Sequence, residues 1–179
     1  PERFNLVGRP SMHNWVQYHA ETGGYDVQLE RDEWAVGDPN RRRKVYRFQL
    51  QGPNAPALLE KLNGGPLPPI KFFHTGWITI AGHKVRLLHH GMIGVAGGEL
   101  IGPFEEGPEV KAAIVEAGKE FGLRQVGSRA YSSNTLESGW IPSPLPAVYT
   151  GDELRAYREW LPDTSFEAVG SLGGSFVTP

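Results

Sequence analysis

A glycine-dense turn spans residues 91–98 and leads directly into Glu99, at the start of a strand-like segment. Four of the eight residues in this turn are glycine, and glycine permits backbone conformations and close approaches that a side chain would block. A packing argument does not require a carboxylate at that point. We therefore expect Glu99 to face a bound ligand, and the alternative is a surface glutamate at a strand start.

Five short segments carry the residue pattern of β-strands. Apolar and polar residues alternate in most of them, which puts one face of a strand toward a core and the other toward solvent. The pair Gly82-His83 separates the last two segments and indicates a hairpin. The five segments are Arg3–Val7, Tyr25–Leu29, Val45–Leu50, Gly76–Ala81 and Lys84–Leu88.

Four segments have the spacing and the end signals of helices, and they begin near Ser11, Pro53, Pro108 and Gly151. The first would run over Met12–Glu21, with Ser11 as its N-cap. The second would start at Pro53 and present an apolar stripe made of Ala57, Leu58 and Leu62. Because helices and hairpin-like strands interleave, the predicted fold class is α+β, with mostly antiparallel sheets and flanking helices.

Composition narrows the classes of function. The formal net charge of −2 over 179 residues offers no basic field for nucleic acid. No apolar run reaches the ~18 residues of a membrane span, and no signal peptide is evident. The chain lacks cysteine, which excludes thiol chemistry, and its six histidines have no recognised zinc or iron spacing. We expect a cytoplasmic protein without a metal, a membrane or a nucleic-acid partner.

Several sequence blocks occur in an order that is typical of one enzyme family. A strand ends in a short turn at Asn5–Pro10, and another strand runs into a Gln-Gly-Pro helix start at Phe48–Ala55. The glycine-glutamate turn at Gly91–Glu99 follows, and a Leu-Glu-x-Gly block comes later at Leu136–Gly139. In this order and spacing, the blocks resemble the aminomethyltransferase (glycine-cleavage T-protein) family.

The chain departs from that family pattern at two places. Met92-Ile93 stands where the family turn has Tyr-Thr, and the family's Arg-Asp-x-Leu-Arg segment reads Arg129–Thr135 here. Ala130 therefore stands in place of the acid after Arg129, and a tyrosine, Tyr131, lies beside it. With the following Gly-Trp-Ile-Pro, this segment is similar to the branch of the family that demethylates aryl methyl ethers, the tetrahydrofolate-dependent vanillate or 3-O-methylgallate O-demethylases.

The resemblance also implies a domain organisation, an enzyme activity and ligands. Residues 1–65 would form part of a first folate-binding subdomain, and residues 66–179 a second α+β subdomain that completes the folate cleft. The linker-like segment Gly64–Pro69 marks the boundary. Tetrahydrofolate would be the cofactor, and a methoxyaromatic small molecule such as vanillate the substrate. Because the chain starts at Pro1 and stops at Pro179 after a glycine-rich turn, we expect a fragment of a larger protein.

Four residues are candidates for the site. By the resemblance, Glu99 would accept hydrogen bonds from the N–H groups at the pterin edge, and Trp140 would stack on the pterin or close the pocket. Arg9 would pair with a substrate carboxylate. Tyr131 would protonate the leaving phenolate, because a phenol has a pKa close to that of the leaving group. Core packing for Trp140 and Tyr131, and a solvated loop for Arg9, are the structural alternatives.

Three other functions are compatible with the sequence. The first is a related enzyme with the same folate site and another donor, such as an aminomethyl or sulfonium compound; Tyr131 and the missing acid after Arg129 argue against it. The second is a folate-binding module without catalysis. The third, independent of the resemblance, is a small-molecule binding domain of unrelated function, which predicts no folate affinity.

Overall fold

The computed structural model describes most of the chain, in two compact units. One unit combines residues 1–30 with 141–179, and the other is residues 31–140. The described residues are 2–8, 10–32, 42–91, 94–127, 130, 133, 137, 151–165 and 167.

The middle unit is built on one antiparallel sheet. Its strands are β1 (Val45–Gln51), β2 (Thr75–Ile80), β3 (His83–His89) and β4 (Gly97–Pro103). They lie in the order β1-β4-β3-β2, and each neighbouring pair is antiparallel. The sheet and its helices confirm the predicted α+β class.

Helices α2 (Ala55–Asn63) and α3 (Gly107–Gly118) pack on one face of this sheet. Side chains alternate between the two faces of a strand, so every second residue points toward the helices, and most of these residues are apolar. The buried residues that form this core are Tyr46, Leu50, Ala55, Leu58, Leu59, Ile78, Ile80, Val85, Leu87, Leu100, Val110 and Ile114. The opposite sheet face carries the polar residues of the same strands.

The predicted hairpin is confirmed, with its turn one residue earlier than expected. Ile80 pairs with His83, so the two turn residues are Ala81 and Gly82. Both have positive φ, 52° and 81°, as a type I′ turn requires. A type I′ turn twists in the same sense as the flanking strands and therefore suits this hairpin. This match explains why alanine is accepted at position 81, which favours glycine or asparagine.

Helix α2 corrects two details of the prediction. It begins at Ala55 after the N-cap Asn54, so Pro53 precedes the helix rather than opening it. Ala57 is exposed, whereas Ala55, Leu58 and Leu59 are buried, because residues three and four apart share a helix face.

A glycine follows each of these two helices. Gly64 follows α2 with a φ of 75°. After α3, a 3₁₀ turn over Lys119–Phe121 leads to Gly122, whose φ is 69°. Glycine adopts this left-handed conformation at little cost.

The predicted boundary after residue 65 lies inside the middle unit. The side chain of Asn63 links the two sides of this boundary. Its amide nitrogen donates to the carbonyls of Gly65 (3.4 Å) and Pro66 (3.1 Å), and its oxygen accepts from the backbone N–H of Thr79 at 3.0 Å. The Gly64–Pro69 loop is therefore fastened to the outer edge of strand β2.

The other unit is held by helices α1 (Pro10–Thr22) and α4 (Arg155–Trp160). Tyr157 of α4 is 1% exposed and meets Trp15 and Tyr18 of α1 edge-on, with ring centroids 4.9 and 5.2 Å apart. Helix α1 starts at Pro10, so Ser11 lies within its first turn and is not the N-cap.

Two predicted strands in this unit are wrong. Residues Arg3–Val7 and Tyr25–Leu29 are not in strands, and their apolar side chains are mostly exposed. Alternation of side chains describes which way they point, but a strand also needs a neighbouring ladder to satisfy its backbone groups. Among the described residues, neither segment pairs with a strand.

Candidate functional site

Glu99 lies in the middle of β4, on the sheet face opposite the helices. Its neighbours in register are Gln49 of β1 and Leu88 of β3. The next residue, Leu100, points to the helices and is completely buried. Although Glu99 lies on the sheet face opposite the helices, only 8% of the surface of this residue is exposed. A carboxylate this buried needs a partner, since an isolated buried charge is strongly disfavoured.

Arg47 of β1 supplies that partner. Its Nε donates to Oε2 of Glu99 at 2.7 Å, and a terminal guanidinium nitrogen contacts the same oxygen. Arg47 stands opposite Ile101, two residues beyond Glu99 on β4, so the two side chains are diagonal neighbours on one face. Within the described part of the chain, no hydrogen bond reaches the second oxygen, Oε1 of Glu99.

A second arginine lies close by on the same face. Arg86 of β3 also stands opposite Ile101, on the side away from Arg47. The face around Glu99 therefore combines guanidinium groups with the apolar side chains of Leu88 and Ile101. Such a mixture suits a planar ligand that has polar edges and an apolar body.

The glycines before Glu99 allow neighbouring strands of the sheet to approach closely. A side-chain carbon added at Gly98 would come within 2.4 Å of a Leu87 methyl group, and one at Gly97 within 2.5 Å of the Leu50 carbonyl oxygen. At these two positions, the close approach expected for a ligand is made by the neighbouring strands instead. Met92 and Ile93, in the turn itself, lie outside the described residues.

The structure places one of the four predicted site residues. Arg9, Tyr131 and Trp140 lie outside the described residues, so their roles and their distances to Glu99 stay predictions. Arg47 was not predicted from the sequence. Arg47 and Gln49 alternate with the apolar Tyr46, Phe48 and Leu50 along β1, which indicates that they lie on the sheet face away from the core. Alternation alone does not show which residue of another strand the arginine contacts.

His83 forms a small charged cluster on the helix side of the sheet. Its Nε2 lies 2.8 Å from a carboxylate oxygen of Glu109, and its Nδ1 lies 3.7 Å from Glu106. The hydrogen bond with Glu109 raises the pKa of His83, and the charge of Glu106 adds to this effect against partial desolvation. Over the described ranges, no set of three His, Asp or Glu side chains is placed to hold a metal ion.

A surface depression of about 550 Å³ lies on the helix layer, away from Glu99. Its walls come from α2, from α3 with the turn after it, and from Ala81. The ion pair between Lys61 and Glu120, at 2.5 Å, is part of that wall. The depression is open, and Glu99 lies on the opposite sheet face. The depression is therefore not part of the candidate site.

Each helix in the described part of the chain is too short or too polar to span a bilayer.

Residues 4–143 match the family model described as the GCVT N-terminal domain.

Three relatives define the neighbourhood of the chain. It is 49% identical to a syringate O-demethylase of Sphingobium sp., over 98% of this chain and 38% of the relative. It is 36% identical to an aminomethyltransferase of Chloroherpeton thalassium, over 56% of this chain and 28% of the relative. It is 30% identical to a sesamin methylene transferase of Sinomonas sp., over 92% of this chain and 37% of the relative.

The chain therefore spans less than two fifths of the length of each of these relatives. The family resemblance predicted from the sequence blocks is confirmed, and the chain belongs to the GCVT N-terminal domain family.

Proposed function

We propose that the protein is a tetrahydrofolate-dependent O-demethylase, which transfers the methyl group of a vanillate-like aryl methyl ether to tetrahydrofolate. The observation that carries this proposal is the 49% identity to a syringate O-demethylase over 98% of the chain. The aminomethyltransferases among the relatives support one-carbon transfer in the same family. Tyr131 and the loss of the acid after Arg129 favour an ether donor over an aminomethyl donor.

The reaction is a displacement at the methyl carbon. Tetrahydrofolate, when bound, would supply the secondary amine N5, which accepts the methyl group and gives up its own proton, so that no net proton is consumed when the phenol is formed. The bond between the methyl carbon and the aryl oxygen breaks, and its electron pair stays on the oxygen as a phenolate. A phenolate leaves poorly unless it is protonated or strongly hydrogen-bonded, so the protein has to bring an acid to that oxygen.

Glu99 fits the role of a pterin ligand. It is buried, it is paired with Arg47 through one oxygen, and its other oxygen accepts no hydrogen bond from the described residues. A carboxylate in this state can accept from the N–H groups at a pterin edge in charge-assisted hydrogen bonds. Its role would be to bind and orient tetrahydrofolate.

The other roles rest on the sequence. Tyr131 would donate its phenolic proton to the leaving oxygen, Arg9 would pair with the substrate carboxylate, and Trp140 would stack on the pterin. The shared folate cleft of residues 1–65 and 66–179 stays a prediction. Three further statements also stay predictions: a role in the breakdown of lignin-derived aromatics, a cytoplasmic location and the absence of a nucleic-acid partner.

Turnover with a panel of methyl donors tests the proposal. The full-length protein is incubated with tetrahydrofolate and with vanillate, 3-O-methylgallate or syringate, and 5-methyltetrahydrofolate and the free phenol are quantified together. We expect both products in equal amounts. Folate binding without either product would indicate a folate-binding module, and no folate binding at all would contradict the proposal.

A second candidate is transfer of a one-carbon unit from another donor. The 30% identity to a sesamin methylene transferase over 92% of the chain favours it specifically. Adding methylenedioxy-aromatic and aminomethyl donors to the panel separates the two. A one-carbon product from these donors, and none from methoxyarenes, would establish the second candidate.

The variant Glu99→Gln tests the pterin ligand. We expect it to weaken tetrahydrofolate binding more than substrate binding, by about 2–3 kcal/mol, because charge-assisted hydrogen bonds are lost. Isothermal calorimetry measures both affinities. Glu105→Gln is the matched control, since Glu105 is exposed. Equal folate affinity in the parent and in Glu99→Gln would remove Glu99 from the site.

The variant Tyr131→Phe tests the proposed acid. It deletes one hydroxyl and keeps the ring, so we expect folate affinity to persist while kcat falls by about 10²–10⁴-fold. Substrates with more acidic phenol leaving groups should be affected less, because they need less protonation. The same kcat for parent and variant on good and poor leaving groups would show that another group is the acid.

A further inference from the structure

The contact between Arg47 and Glu99 uses only one oxygen of the carboxylate. Both the Nε and a terminal nitrogen of the guanidinium contact that oxygen, Oε2. A bidentate pair would instead place one nitrogen on each oxygen and would occupy the whole carboxylate. Here the arrangement leaves Oε1 without a protein donor from the described residues, while the carboxylate stays neutralised.

We propose that Arg47 is a positioning residue for tetrahydrofolate: it holds the Glu99 carboxylate in a fixed orientation, with Oε1 directed to the ligand. This inference rests on the proposed role of Glu99 as the pterin ligand. Arg47 itself need not touch the ligand, since its effect is transmitted through one oxygen of Glu99.

Burial provides the first reason for a positioning role. Glu99 is 8% exposed, and an isolated buried charge is strongly disfavoured, so the carboxylate needs a cationic partner. The guanidinium of Arg47 is that partner, and it contacts only one of the two carboxylate oxygens. The pairing therefore offsets the cost of burying Glu99 and leaves Oε1 for the ligand.

Strand register provides the second reason. Arg47 and Glu99 project from adjacent strands of a hydrogen-bonded sheet, which fixes their Cα positions relative to each other. The side chain of Arg47 is 39% exposed, whereas that of Glu99 is 11% exposed. The arginine therefore lies on the outer side of the carboxylate and restricts its rotation without enclosing it.

One competing role predicts the opposite result. If the guanidinium occupied the place of the ligand, tetrahydrofolate would have to displace it, and removing Arg47 would strengthen binding. The sign of the change in affinity therefore separates a positioning residue from an occupant of the site.

A double-mutant cycle in the full-length protein tests the proposal. Tetrahydrofolate affinity is measured by calorimetry for the parent, Arg47→Gln, Glu99→Gln and the double variant. We expect Arg47→Gln to weaken binding by about tenfold or more. In the Glu99→Gln background the same change should alter affinity by less than about twofold, because Arg47 acts through Glu99.

Lys84→Gln is the matched control. It removes one positive charge from the same sheet face, at an exposed position of β3 opposite Thr79. We expect it to leave tetrahydrofolate affinity within about twofold of the parent. Equal weakening by Lys84→Gln and Arg47→Gln would show a general charge effect and would overturn the proposal.

The remaining outcomes are also decisive. Tighter binding by Arg47→Gln, unchanged binding, or an equal loss in both backgrounds would each overturn the positioning role. If Arg47→Gln does not fold, Arg47→Lys replaces it in the same double-mutant cycle. A smaller loss of affinity is then expected, because lysine keeps the charge but not the forked guanidinium.

The Glu99→Gln variant separates this proposal from the proposed function. Unchanged folate affinity in Glu99→Gln would refute the pterin site itself. A loss of affinity in Glu99→Gln alone would leave that site intact and refute only the role of Arg47.

Discussion

At the scale of single residues, neighbouring positions on one strand have opposite environments. Leu100 is completely buried among the helices, and Glu99, one position earlier, pairs with Arg47 on the other sheet face. The alternation of a strand makes this possible without a conflict in the core. A carboxylate on the helix side at the same depth would have faced apolar side chains, with a large desolvation cost.

His83 gives a pH-dependent contribution to stability that can be measured. Its pKa in the folded protein is raised from 6.5 by the hydrogen bond with Glu109. A raised pKa stabilises the fold fully below the unfolded value, and this stabilisation is lost as the pH rises through the folded value. We expect His83→Gln to lower the free energy of unfolding more at about pH 5.5 than at about pH 8.5.

Urea denaturation of parent and variant at both pH values measures this difference. Glu109→Gln is the matched change on the other partner, because it removes the same hydrogen bond and keeps the histidine. It should reduce stability in the same acidic range. A difference between parent and His83→Gln that is equal at both pH values would contradict the prediction.

At the scale of elements, the β2–β3 hairpin shows how a two-residue turn sets strand register. Ala81 and Gly82 both have positive φ, and their turn places Ile78 and Val85 opposite each other in the core. A slip by one residue would turn the apolar side chains of a strand to the other face. The turn and the apolar alternation therefore specify the same pairing.

Substitutions in this turn should change stability through the backbone alone. Gly82→Ala should destabilise by about 1 kcal/mol, because nothing lies near an added Cβ but the positive φ is unfavourable. Ala81→Asn should stabilise by a few tenths of a kcal/mol, since asparagine tolerates this conformation better. Chemical denaturation measures both changes.

Gly65→Ala is the control for the hairpin. Gly65 also has open space around an added Cβ but does not have a positive φ. We expect this substitution to be neutral or slightly stabilising, because alanine restricts the unfolded chain. A loss of stability at Gly65 as large as that at Gly82 would mean that backbone conformation is not the cause.

At the scale of the whole molecule, the beginning of the chain packs against a segment near its end. Tyr157 of α4 contacts the rings of Trp15 and Tyr18 and donates a hydrogen bond to Glu167 at 2.9 Å. Asn14 of α1 donates to the other oxygen of Glu167 at 2.7 Å. Helix α1 has 13 residues, which is marginal for an isolated helix in water, so we attribute its stability to this packing.

Tyr157→Ala tests that dependence. Removing a fully buried aromatic side chain costs about 3–5 kcal/mol, and we expect amide hydrogen exchange to speed up throughout α1, more than 130 residues away in sequence. Glu159→Ala, at an exposed position of the same helix α4, is the control and should leave exchange in α1 unchanged. Unchanged protection of α1 in Tyr157→Ala would show that other contacts hold this helix.

Much of the fold could be predicted from local patterns. Strands β1, β2 and β3 are present as expected, and so are the helices that begin near Pro53 and Pro108. The predicted strands Arg3–Val7 and Tyr25–Leu29 are wrong, because alternation does not reveal whether a neighbouring ladder exists. Glu99 was predicted as a site residue from the glycine-dense turn and the family resemblance, whereas its partner Arg47 was not predicted.

Local sequence sets the direction in which the side chains of a strand point and carries the family resemblance, whereas the tertiary structure brings particular side chains into contact. A strand repeats every two residues because of its covalent geometry, so the face on which Glu99 lies follows from local sequence. Its pairing with Arg47, 52 residues away, depends on β1 joining the sheet beside β4. Strand order is a long-range choice, settled by which arrangement buries the most apolar surface and satisfies the backbone.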